Sequence, residues 1–399
     1  MLQFKNILFF CLCFGLIQCK SAKKTESPAP KGIKTGAERT ELYLSKLKGK
    51  SVGLVVNQTS VVNQTHLVDF LLSKQIKLTK IFSPEHGFRG DSQAGEKIDD
   101  TKDAKTGLPI ISLHGNKYKP TAIDLKDIDV LLFDIQDVGV RFYTYISTLS
   151  YVMEACAEND KKLIVFDRPN PNGHYVDGPV LDMEFKSFVG IAPIPVVHGL
   201  TIGEFAMMSN GEKWLSDNLK CDLEVIPCAN YTHDSYYEIQ IPPSPNLKTM
   251  RSILLYPSIC FFEGTVVSLG RGTNNPFEIA GHPALKGKYE YNFKPMPNAG
   301  SSNPPQNGKL CYGVSFTDKT TEALFAQKQL NFQYLFDFYK IINKNDTYFL
   351  KNNFFDKLAG TDTFRKAIIA GKTEAEIRKS WEPPLEKYKK IRAQYLLYP

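Results

Sequence analysis

Short apolar runs alternate with amphipathic stretches along the chain from residue 51 onward. Runs typical of buried strands cover residues 51–56, 76–82, 108–113, 128–135, 162–166 and 222–226. Stretches whose apolar residues recur at helical spacing cover residues 66–73, 142–157 and 202–215. Strands separated by helices are typical of a parallel sheet. The pattern therefore predicts an α/β, Rossmann-like fold with a mostly parallel sheet and helices on both faces.

The pattern changes at about residue 241. Residues 242–246 (PPSPN) form a rigid, extended segment, and the chain up to residue 305 is rich in Gly, Pro and Asn. Farther on, the spacing predicts elements that belong to a smaller α+β domain. They are a strand over residues 312–317, an amphipathic helix over residues 332–343, and a last helix over residues 373–395 that is interrupted at Pro383-Pro384.

The N-terminus has the features of an export signal. Lys5 precedes an apolar run over residues 7–17, which is too short to span a bilayer permanently and has the length of a signal-peptide core. The run ends in Leu16-Ile17-Gln18-Cys19, which resembles a lipobox with Cys19 as the lipidated residue, although Gln18 replaces the usual small residue. We expect an exported chain that is lipid-anchored to the bacterial cell envelope; the alternative is a plain signal peptide with an incidental cysteine.

A chain of 399 residues exceeds the size at which single cores usually stop growing, so two domains are expected. We expect residues 1–19 to be the signal peptide and residues 20–39, which are polar and contain proline, to be a flexible tether. A Rossmann-like domain is expected over residues 40–238, and a smaller α+β domain that closes the cleft over residues 239–399.

Charge and cysteine content narrow the class of protein. The net charge of +7 is small for this length and the lysines are scattered, so no basic stripe for nucleic acid is present. Downstream of Cys19 the cysteines are widely spaced and form no CxxC zinc pair. We expect buried free thiols and at most one disulfide, between Cys221 and Cys228. The cysteines concerned are Cys156, Cys221, Cys228, Cys260 and Cys311.

Several common catalytic motifs are absent from the sequence. It has no GxGxxG after a strand, no Walker A loop, no HExxH and no GxSxG. Dehydrogenases, NTPases, zinc proteases and ordinary serine esterases are therefore disfavoured, and we expect neither a cofactor nor a metal.

Polar clusters follow the predicted strands, at what would be their carboxyl ends, where open α/β sheets bind ligands. The first cluster is SPEHGFRG over residues 83–90. Pro84 and Gly87 stiffen and turn the chain, which would present Glu85 and His86 at the sheet edge. A carboxyl group desolvated in such a cleft can serve as a general acid. The alternative is an ion pair between Glu85 and Arg89 that stabilises the loop.

The second cluster covers residues 134–145 and holds two acids at the end of a buried strand. Burying an acid costs free energy unless its charge is paired or the group takes part in function. Alternation along an extended chain places Asp134 and Gln136 on one face and Asp137 on the other. Asp137 either caps the next helix or takes part in catalysis. Arg141 and Tyr143 complete this group of candidates.

Two further clusters follow later strands. In residues 167–173 (DRPNPNG), Asp167, Arg168 and Asn170 either form a turn or recognise hydroxyl and carboxylate groups. His198 follows an apolar run and is either structural or part of the site. Thr201 with Glu204 three residues later predicts a capping box at the start of a helix. The smaller domain offers Asn246, Glu263 and Arg271 for the other side of the cleft.

Taken together, these segments resemble a bacterial family once known only as a domain of unknown function, the exo-β-N-acetylmuramidases called NamZ. The likeness spans nearly the whole chain after the tether. The matching segments are SPEHGFRG (83–90), FDIQDVGVRFYTYISTL (133–149), DRPNPNG (167–173), GP (178–179), HGLTIGE (198–204), PPSPN (242–246) and YPSICFFEGTVVSLGRGTNNPFE (256–278).

The resemblance implies a Rossmann-like catalytic domain joined to a smaller domain, with the active site between them. It implies hydrolysis of the β-1,4 bond that holds a terminal, non-reducing N-acetylmuramic acid on a peptidoglycan fragment, with Glu85 as the leading catalytic residue. Asp137 is the candidate for the second catalytic group, and His86 would tune Glu85.

A muramidase also needs a partner for the lactyl carboxylate that distinguishes muramic acid from glucosamine. Arginine suits this planar anion because it can bind it bidentately. The candidates are Arg89, Arg141, Arg168 and Arg271.

The rival hypothesis is a lipid-anchored, non-catalytic binding protein for cell-wall sugars. The acidic pair at the strand ends, Glu85 with Asp134 or Asp137, distinguishes the two hypotheses, because a binding protein would not need a protonated carboxyl group in its cleft. The substrate-binding candidates come from both domains. These are Arg89, Asp134, Gln136, Arg141, Tyr143, Asp167, Arg168, Asn170, His198, Asn246, Glu263 and Arg271.

Overall fold

The computed structural model describes residues 32–88, 101–343 and 347–399, of which residues 33–399 form one compact unit. The predicted signal peptide with Cys19, the first part of the tether, and Arg89 lie outside the described residues. In the described ranges, no helix combines the length and the apolar character needed to cross a membrane.

The core of the molecule is a seven-stranded sheet in the order β11–β8–β7–β1–β4–β6–β5, in which only the β5–β6 pair is antiparallel. This confirms the predicted mostly parallel sheet. The strands up to β11 are β1 (Ser51–Val56), β2 (Val61–Val62), β3 (Thr65–His66), β4 (Lys77–Ser83), β5 (Thr101–Lys102), β6 (Pro109–Ser112), β7 (Val130–Asp134), β8 (Lys162–Phe166), β9 (Asp177–Val180), β10 (Pro195–Val197) and β11 (Asp222–Ile226).

Helices cover both faces of this sheet, as the continuous apolar strand runs predicted. Along β7, Leu131 and Phe133 join one buried cluster, whereas Val130 and Leu132 join another. The first cluster includes the buried sides of α4 and α5, and the second that of α2. The helices of this half are α1 (Leu44–Leu47), α2 (Leu67–Ser73), α3 (Ala122–Leu125), α4 (Tyr145–Glu158) and α5 (Ile202–Gly211).

The smaller C-terminal part is built on an antiparallel sheet in the order β12–β14–β13. Its strands are β12 (Ile279–His282), β13 (Tyr291–Phe293) and β14 (Cys311–Ser315). Its helices are α6 (Met250–Ile259), α7 (Thr321–Phe325), α8 (Gln333–Ile342), α9 (Phe354–Ala359), α10 (Thr363–Ile369) and α11 (Glu374–Arg392). The sequence pattern did not predict α6, which lies in the stretch rich in Gly, Pro and Asn.

The predicted interruption of the last helix is wrong, because α11 runs through Pro383 and Pro384. Two prolines remove backbone donors, which usually breaks a helix. Here tertiary packing outweighs that loss, because buried side chains recur along one face of the helix, both before and after the prolines. These are Ile377, Trp381, Leu385 and Tyr388.

The segment expected to be tether up to residue 39 already packs against the sheet from Lys34 onward. The backbone N–H of Gly36 donates to the carbonyl of Asp167 at 2.7 Å, and Ala37 is buried. This part of the tether prediction is therefore wrong, because backbone pairing with the sheet edge fixes the segment. The five cysteines from Cys156 to Cys311 are buried and free, so the Cys221–Cys228 disulfide is not formed.

Candidate functional site

The first polar cluster sits in a tight turn directly after β4. The backbone N–H of Gly87 donates to the carbonyl of Pro84 at 3.1 Å, and both His86 and Gly87 have positive φ, at 71° and 79°. A positive φ is unusual for a non-glycine residue, and such strain clusters at functional sites. The turn places Glu85 at the carboxyl end of the sheet, as predicted.

Polar side chains from two other segments lie beside the carboxyl group of Glu85. The hydroxyl of Thr144, just before α4, donates to Oε2 of Glu85 at 2.8 Å. Nε2 of His114, which follows β6, lies 3.9 Å from Oε1. The Glu85 side chain is 15% exposed, so its carboxyl group remains open to a ligand.

Glu85 lines a cavity of about 320 Å³ that both parts of the chain enclose. Five of the predicted site residues meet there: Glu85, His86, Tyr143, Glu263 and Arg271. The cavity lies between the strand ends of the sheet and the smaller part, in agreement with the expected cleft. The rest of the lining consists of His114, Phe142, Thr144, Tyr145, Phe188, Val189, Ser244, Leu247, Tyr256, Phe277 and Phe354.

The smaller part contributes an ion pair to this cavity. Nε and Nη2 of Arg271 both donate to Oε1 of Glu263, at 3.0 and 2.8 Å. Burial alone would lower the pKa of Arg271, but the charge of Glu263 and these hydrogen bonds raise it above its usual value. The cavity wall therefore carries a permanent cation as well as the carboxyl group of Glu85.

Asp137 does not line the cavity. Its Oδ1 accepts from the backbone N–H of Gly139 at 2.7 Å, and its Oδ2 is buried without a hydrogen-bond partner. Burial raises the pKa of Asp137 to about 7, against the hydrogen bonds from Gly139 and Val138. Asp137 is not a helix cap either, because Thr144 is the N-cap residue of α4; it closes a local turn instead.

Tyr145 is part of the cavity wall and joins three elements of the structure. Its hydroxyl accepts from the side-chain amide of Asn57 at 3.0 Å and donates to the carbonyl of Pro243 at 3.1 Å. Its ring packs edge-on against that of Tyr143, with centroids 5.0 Å apart. The Pro-rich segment over residues 242–246 is thereby fixed against the strand ends.

Three predicted site residues lie away from the cavity that Glu85 lines. They are Asp134, Gln136 and Arg168. Arg168 donates from Nε and Nη2 to the two carboxylate oxygens of Asp134, at 2.6 and 2.9 Å, and Asp134 is fully buried. Arg168 and Gln136 line a second cavity of about 530 Å³, together with Tyr237 and Gln240. The prediction that all these residues share one cleft with Glu85 is therefore wrong, because Arg168 and Gln136 line the second cavity and none of the three lines the first.

Arg141 is completely buried and serves the packing of the two parts. It donates from Nη1 to the carbonyls of Pro179 and Ile194 at 2.7 Å each, and from Nη2 to the carbonyl of Leu358 at 2.8 Å. Burial lowers the pKa of Arg141 to about 9, which still leaves it charged at neutral pH. Nη1 and Nη2 thus donate to backbone carbonyls, and Arg141 does not line the cavity, so it is not placed to bind a substrate carboxylate there.

His198 is also buried outside the cavity. Its Nδ1 accepts from the backbone N–H of Leu200 at 3.1 Å. Burial, helped by the nearby charges of Arg392 and Arg141, lowers the pKa of His198 to about 3, so the ring is neutral. The structural interpretation of His198 fits this placement.

Asp167 and Asn170 organise the loop after β8. Asp167 accepts from Thr201, from the backbone N–H of Gly203, and from the hydroxyl of Tyr398 at 2.6 Å. The side-chain amide of Asn170 donates to the carbonyl of Leu200 at 2.8 Å. These contacts favour the turn-forming interpretation of this cluster. The capping box of Thr201 and Glu204 is confirmed.

Asn246 is buried beside the cavity, and its side-chain amide donates to the carbonyl of Gly300 at 2.9 Å. Sequence reasoning missed His114 and Thr144 as site residues. His114 follows β6, so the strand-end rule could have found it. Phe188 and Phe354 reach the cavity from loops and helix starts that carry no local signal.

Within residues 32–88, 101–343 and 347–399, no three His, Cys, Asp or Glu side chains come together in a way that could hold a metal ion.

The sequence matches two family models over nearly all of the described chain. The N-terminal model of the exo-β-N-acetylmuramidase NamZ matches residues 52–251, and the C-terminal model of the same family matches residues 254–398. The peptidoglycan β-N-acetylmuramidase NamZ of Bacillus subtilis strain 168 is 39% identical over 411 aligned residues, which cover 97% of each chain.

Two crystal structures of DUF1343 family proteins from Bacteroides fragilis have the same fold. One is 49% identical with a TM-score of 0.85, covering 92% of this chain and 99% of the other. The second is 32% identical with a TM-score of 0.77, covering 93% and 100%. The fold, the enclosed cavity and the two family models agree, and the chain belongs to the NamZ family of exo-β-N-acetylmuramidases.

Proposed function

We propose that the protein is an exo-acting glycoside hydrolase that releases terminal, non-reducing N-acetylmuramic acid from peptidoglycan fragments by cleaving the β-1,4 glycosidic bond. The observation that carries this proposal is the position of Glu85: a carboxyl group held by Thr144 in a partly enclosed cavity whose walls are largely aromatic. Aromatic rings suit the apolar faces of sugars. Full-length similarity to a curated muramidase supports the same activity.

In this proposal Glu85 gives a proton to the leaving glycosidic oxygen while water is added at the anomeric carbon of muramic acid. A second group must assist the attack. Glu263 lines the cavity, whereas Asp137 lies outside the lining. A comparison of Glu263→Gln with Asp137→Asn identifies the group in contact with the reacting water, because removing such a group typically lowers kcat by about 10²- to 10⁴-fold.

The direct test is release of N-acetylmuramic acid from a disaccharide with N-acetylmuramic acid β-1,4-linked to N-acetylglucosamine. We expect release by the wild type and a loss of at least about 100-fold in Glu85→Gln. Glu41→Gln, which changes an exposed carboxylate away from the cavity, serves as the control. If Glu85→Gln released N-acetylmuramic acid as fast as the wild type, Glu85 would not be the proton donor. Binding of the disaccharide by the wild type without cleavage would favour the non-catalytic binding protein.

We also propose that the protein is exported and lipid-anchored through Cys19. The support is the apolar run over residues 7–17 and the Leu16-Ile17-Gln18-Cys19 sequence that follows it. Cys19→Ala should move the protein from the membrane fraction to the soluble exported fraction and abolish labelling with a fatty acid. Cys156→Ala, which changes a buried thiol, is the matched control. Membrane association that persists in Cys19→Ala would refute the anchor.

A further inference from the structure

N-acetylmuramic acid differs from N-acetylglucosamine by a lactyl ether whose carboxylate is ionised at neutral pH. If the cavity holds the terminal muramic acid, as the proposed function requires, that carboxylate needs a cationic hydrogen-bond donor at the cavity wall. Leaving a desolvated carboxylate without a partner would cost more than the sugar contacts gain. A wall with such a donor would also reject the sugar that lacks the carboxylate.

Arg271 is the only lysine or arginine among the described residues that line the cavity. The other ionisable wall residues are two carboxylates, Glu85 and Glu263, and the imidazoles of His86 and His114, with tyrosines beside them. Among the described residues, the lining therefore offers one permanent cation for an anionic substituent.

The guanidinium of Arg271 is oriented on two sides. Glu263 takes its Nε and Nη2 donors with a single oxygen, and the group lies over the Phe277 ring, 4.9 Å from the ring centroid. Within the described chain, Nη1 makes no hydrogen bond. A guanidinium has five N–H donors, so the edge formed by Nη1 and the second N–H of Nη2 can still grip a carboxylate with two parallel hydrogen bonds.

The other arginines that the sequence offered within the described residues are committed elsewhere. Arg141 donates to three backbone carbonyls and is completely buried. Arg168 is paired with Asp134 and faces the second cavity. Neither of them lines the cavity that holds Glu85.

We propose that Arg271 binds the lactyl carboxylate of N-acetylmuramic acid through its Nη1 edge and thereby selects muramic acid over glucosamine. Through its ion pair with Arg271, Glu263 fixes the plane of the guanidinium.

The test measures binding and needs no turnover. Free N-acetylmuramic acid and its lactyl carboxamide, which keeps the shape but loses the charge, are titrated calorimetrically into the wild type and into Arg271→Gln. We expect the wild type to prefer the carboxylate by about 10- to 100-fold, as for charged hydrogen bonds. In Arg271→Gln the ratio should fall to near 1. Arg39→Gln, which removes the same charge outside the cavity, should keep the wild-type ratio.

Arg271→Gln leaves Glu263 without its partner, so Glu263→Gln/Arg271→Gln is a second variant in which no charge is stranded. Its binding ratio should also be near 1, and its melting temperature shows whether it is folded. A carboxylate preference that survives in both variants overturns the proposal. So does a wild type that binds the two sugars equally, or that does not bind N-acetylmuramic acid at all.

The outcome is separable from that of the proposed function. If the wild type cleaves the muramic acid disaccharide but shows no preference for the carboxylate, the muramidase activity is supported and the role of Arg271 is refuted. If the wild type cleaves nothing, but its preference for the carboxylate disappears in Arg271→Gln, the role of Arg271 is supported and the hydrolase activity is refuted.

Discussion

The hydroxyl of Thr144 donates to Oε2 of Glu85 at 2.8 Å, although Thr144 occupies the N-cap position of α4. A threonine at this position usually accepts a hydrogen bond from the backbone of the first turn. Thr144 makes no such bond, so α4 begins without a side-chain cap. The helix start therefore gives up a local stabilisation of about 1 kcal/mol, and the hydroxyl holds the carboxyl group in the cavity instead.

Thr144→Val should lower kcat about tenfold and change KM less than about twofold. The valine keeps the shape but removes a hydrogen bond to the carboxyl group, which is worth about 1.5 kcal/mol when the acceptor is charged. Thr144→Ser, which keeps the hydroxyl, should retain most of the activity. Steady-state kinetics on the muramic acid disaccharide measure both variants. Equal losses in the valine and serine variants would contradict a role for the hydroxyl.

Asp137→Asn should remove a pH dependence of stability. Burial raises the pKa of Asp137 from 3.8 to about 7, so the folded protein binds this proton more tightly than the unfolded chain does. The resulting stabilisation is fully present below about pH 4 and is lost as the pH rises to about 7, by on the order of 4 kcal/mol.

Urea unfolding of the wild type and Asp137→Asn between pH 4 and pH 8 checks this expectation. The wild-type free energy of unfolding, minus that of the variant, should fall across the window. Burial also raises the pKa of Asp167 to about 6, but this residue is present in both proteins and its effect cancels. A difference that is flat with pH would mean that Asp137 is not a buried titrating group.

Arg168→Leu should destabilise the protein by about 3–5 kcal/mol, because it leaves the carboxylate of Asp134 buried without its partner. Asp134→Leu/Arg168→Leu, which removes both charges, should recover most of this loss. Lys105→Ala, which breaks an exposed ion pair with Asp69, is expected to change stability by less than about 1 kcal/mol. Denaturant midpoints compare the variants, and similar values for Arg168→Leu and Lys105→Ala would contradict the prediction.

Gly139→Ala should be among the most damaging single substitutions in the strand-end loops. Gly139 has a φ of 77°, and an added Cβ would lie 1.9 Å from Oδ1 of Asn170. Gly107 has a similar φ of 72° but nothing within 4 Å of an added Cβ, so Gly107→Ala shows the cost of backbone strain alone. We expect about 1 kcal/mol for Gly107→Ala and several times that for Gly139→Ala.

Melting curves of the two alanine variants measure the contrast. A loss in Gly139→Ala no larger than that in Gly107→Ala would mean that the loop after β7 can move away from Asn170.

The periodicity of the sequence predicted the sheet because buried parallel strands leave continuous apolar runs, and β1, β8 and β11 have the predicted bounds. The same rule placed the polar clusters at the carboxyl ends of strands. It could not predict which of them share a cavity. That depends on the direction of each side chain after its strand ends, which put Glu85 in one cavity and Arg168 in another.

The wall contributed by the smaller part was predicted in part. Glu263 and Arg271 were candidates for the side of the cleft that the smaller domain forms, and both line the cavity. Phe188 and Phe354 were not, since an aromatic residue has the same local pattern in a core and in a binding site. The path of α11 through two prolines was also unpredictable from propensity, because long-range burial decided it.

The hydroxyl of Tyr398 reaches back to the carboxylate of Asp167 and also accepts from the backbone N–H of Cys228. Asp167 and Tyr398 are 231 positions apart in the chain. During synthesis, more than half of the polypeptide must therefore follow the loop after β8 before its buried acid is fully paired. The last residues of the chain thus complete the hydrogen bonding of a buried loop that is made much earlier.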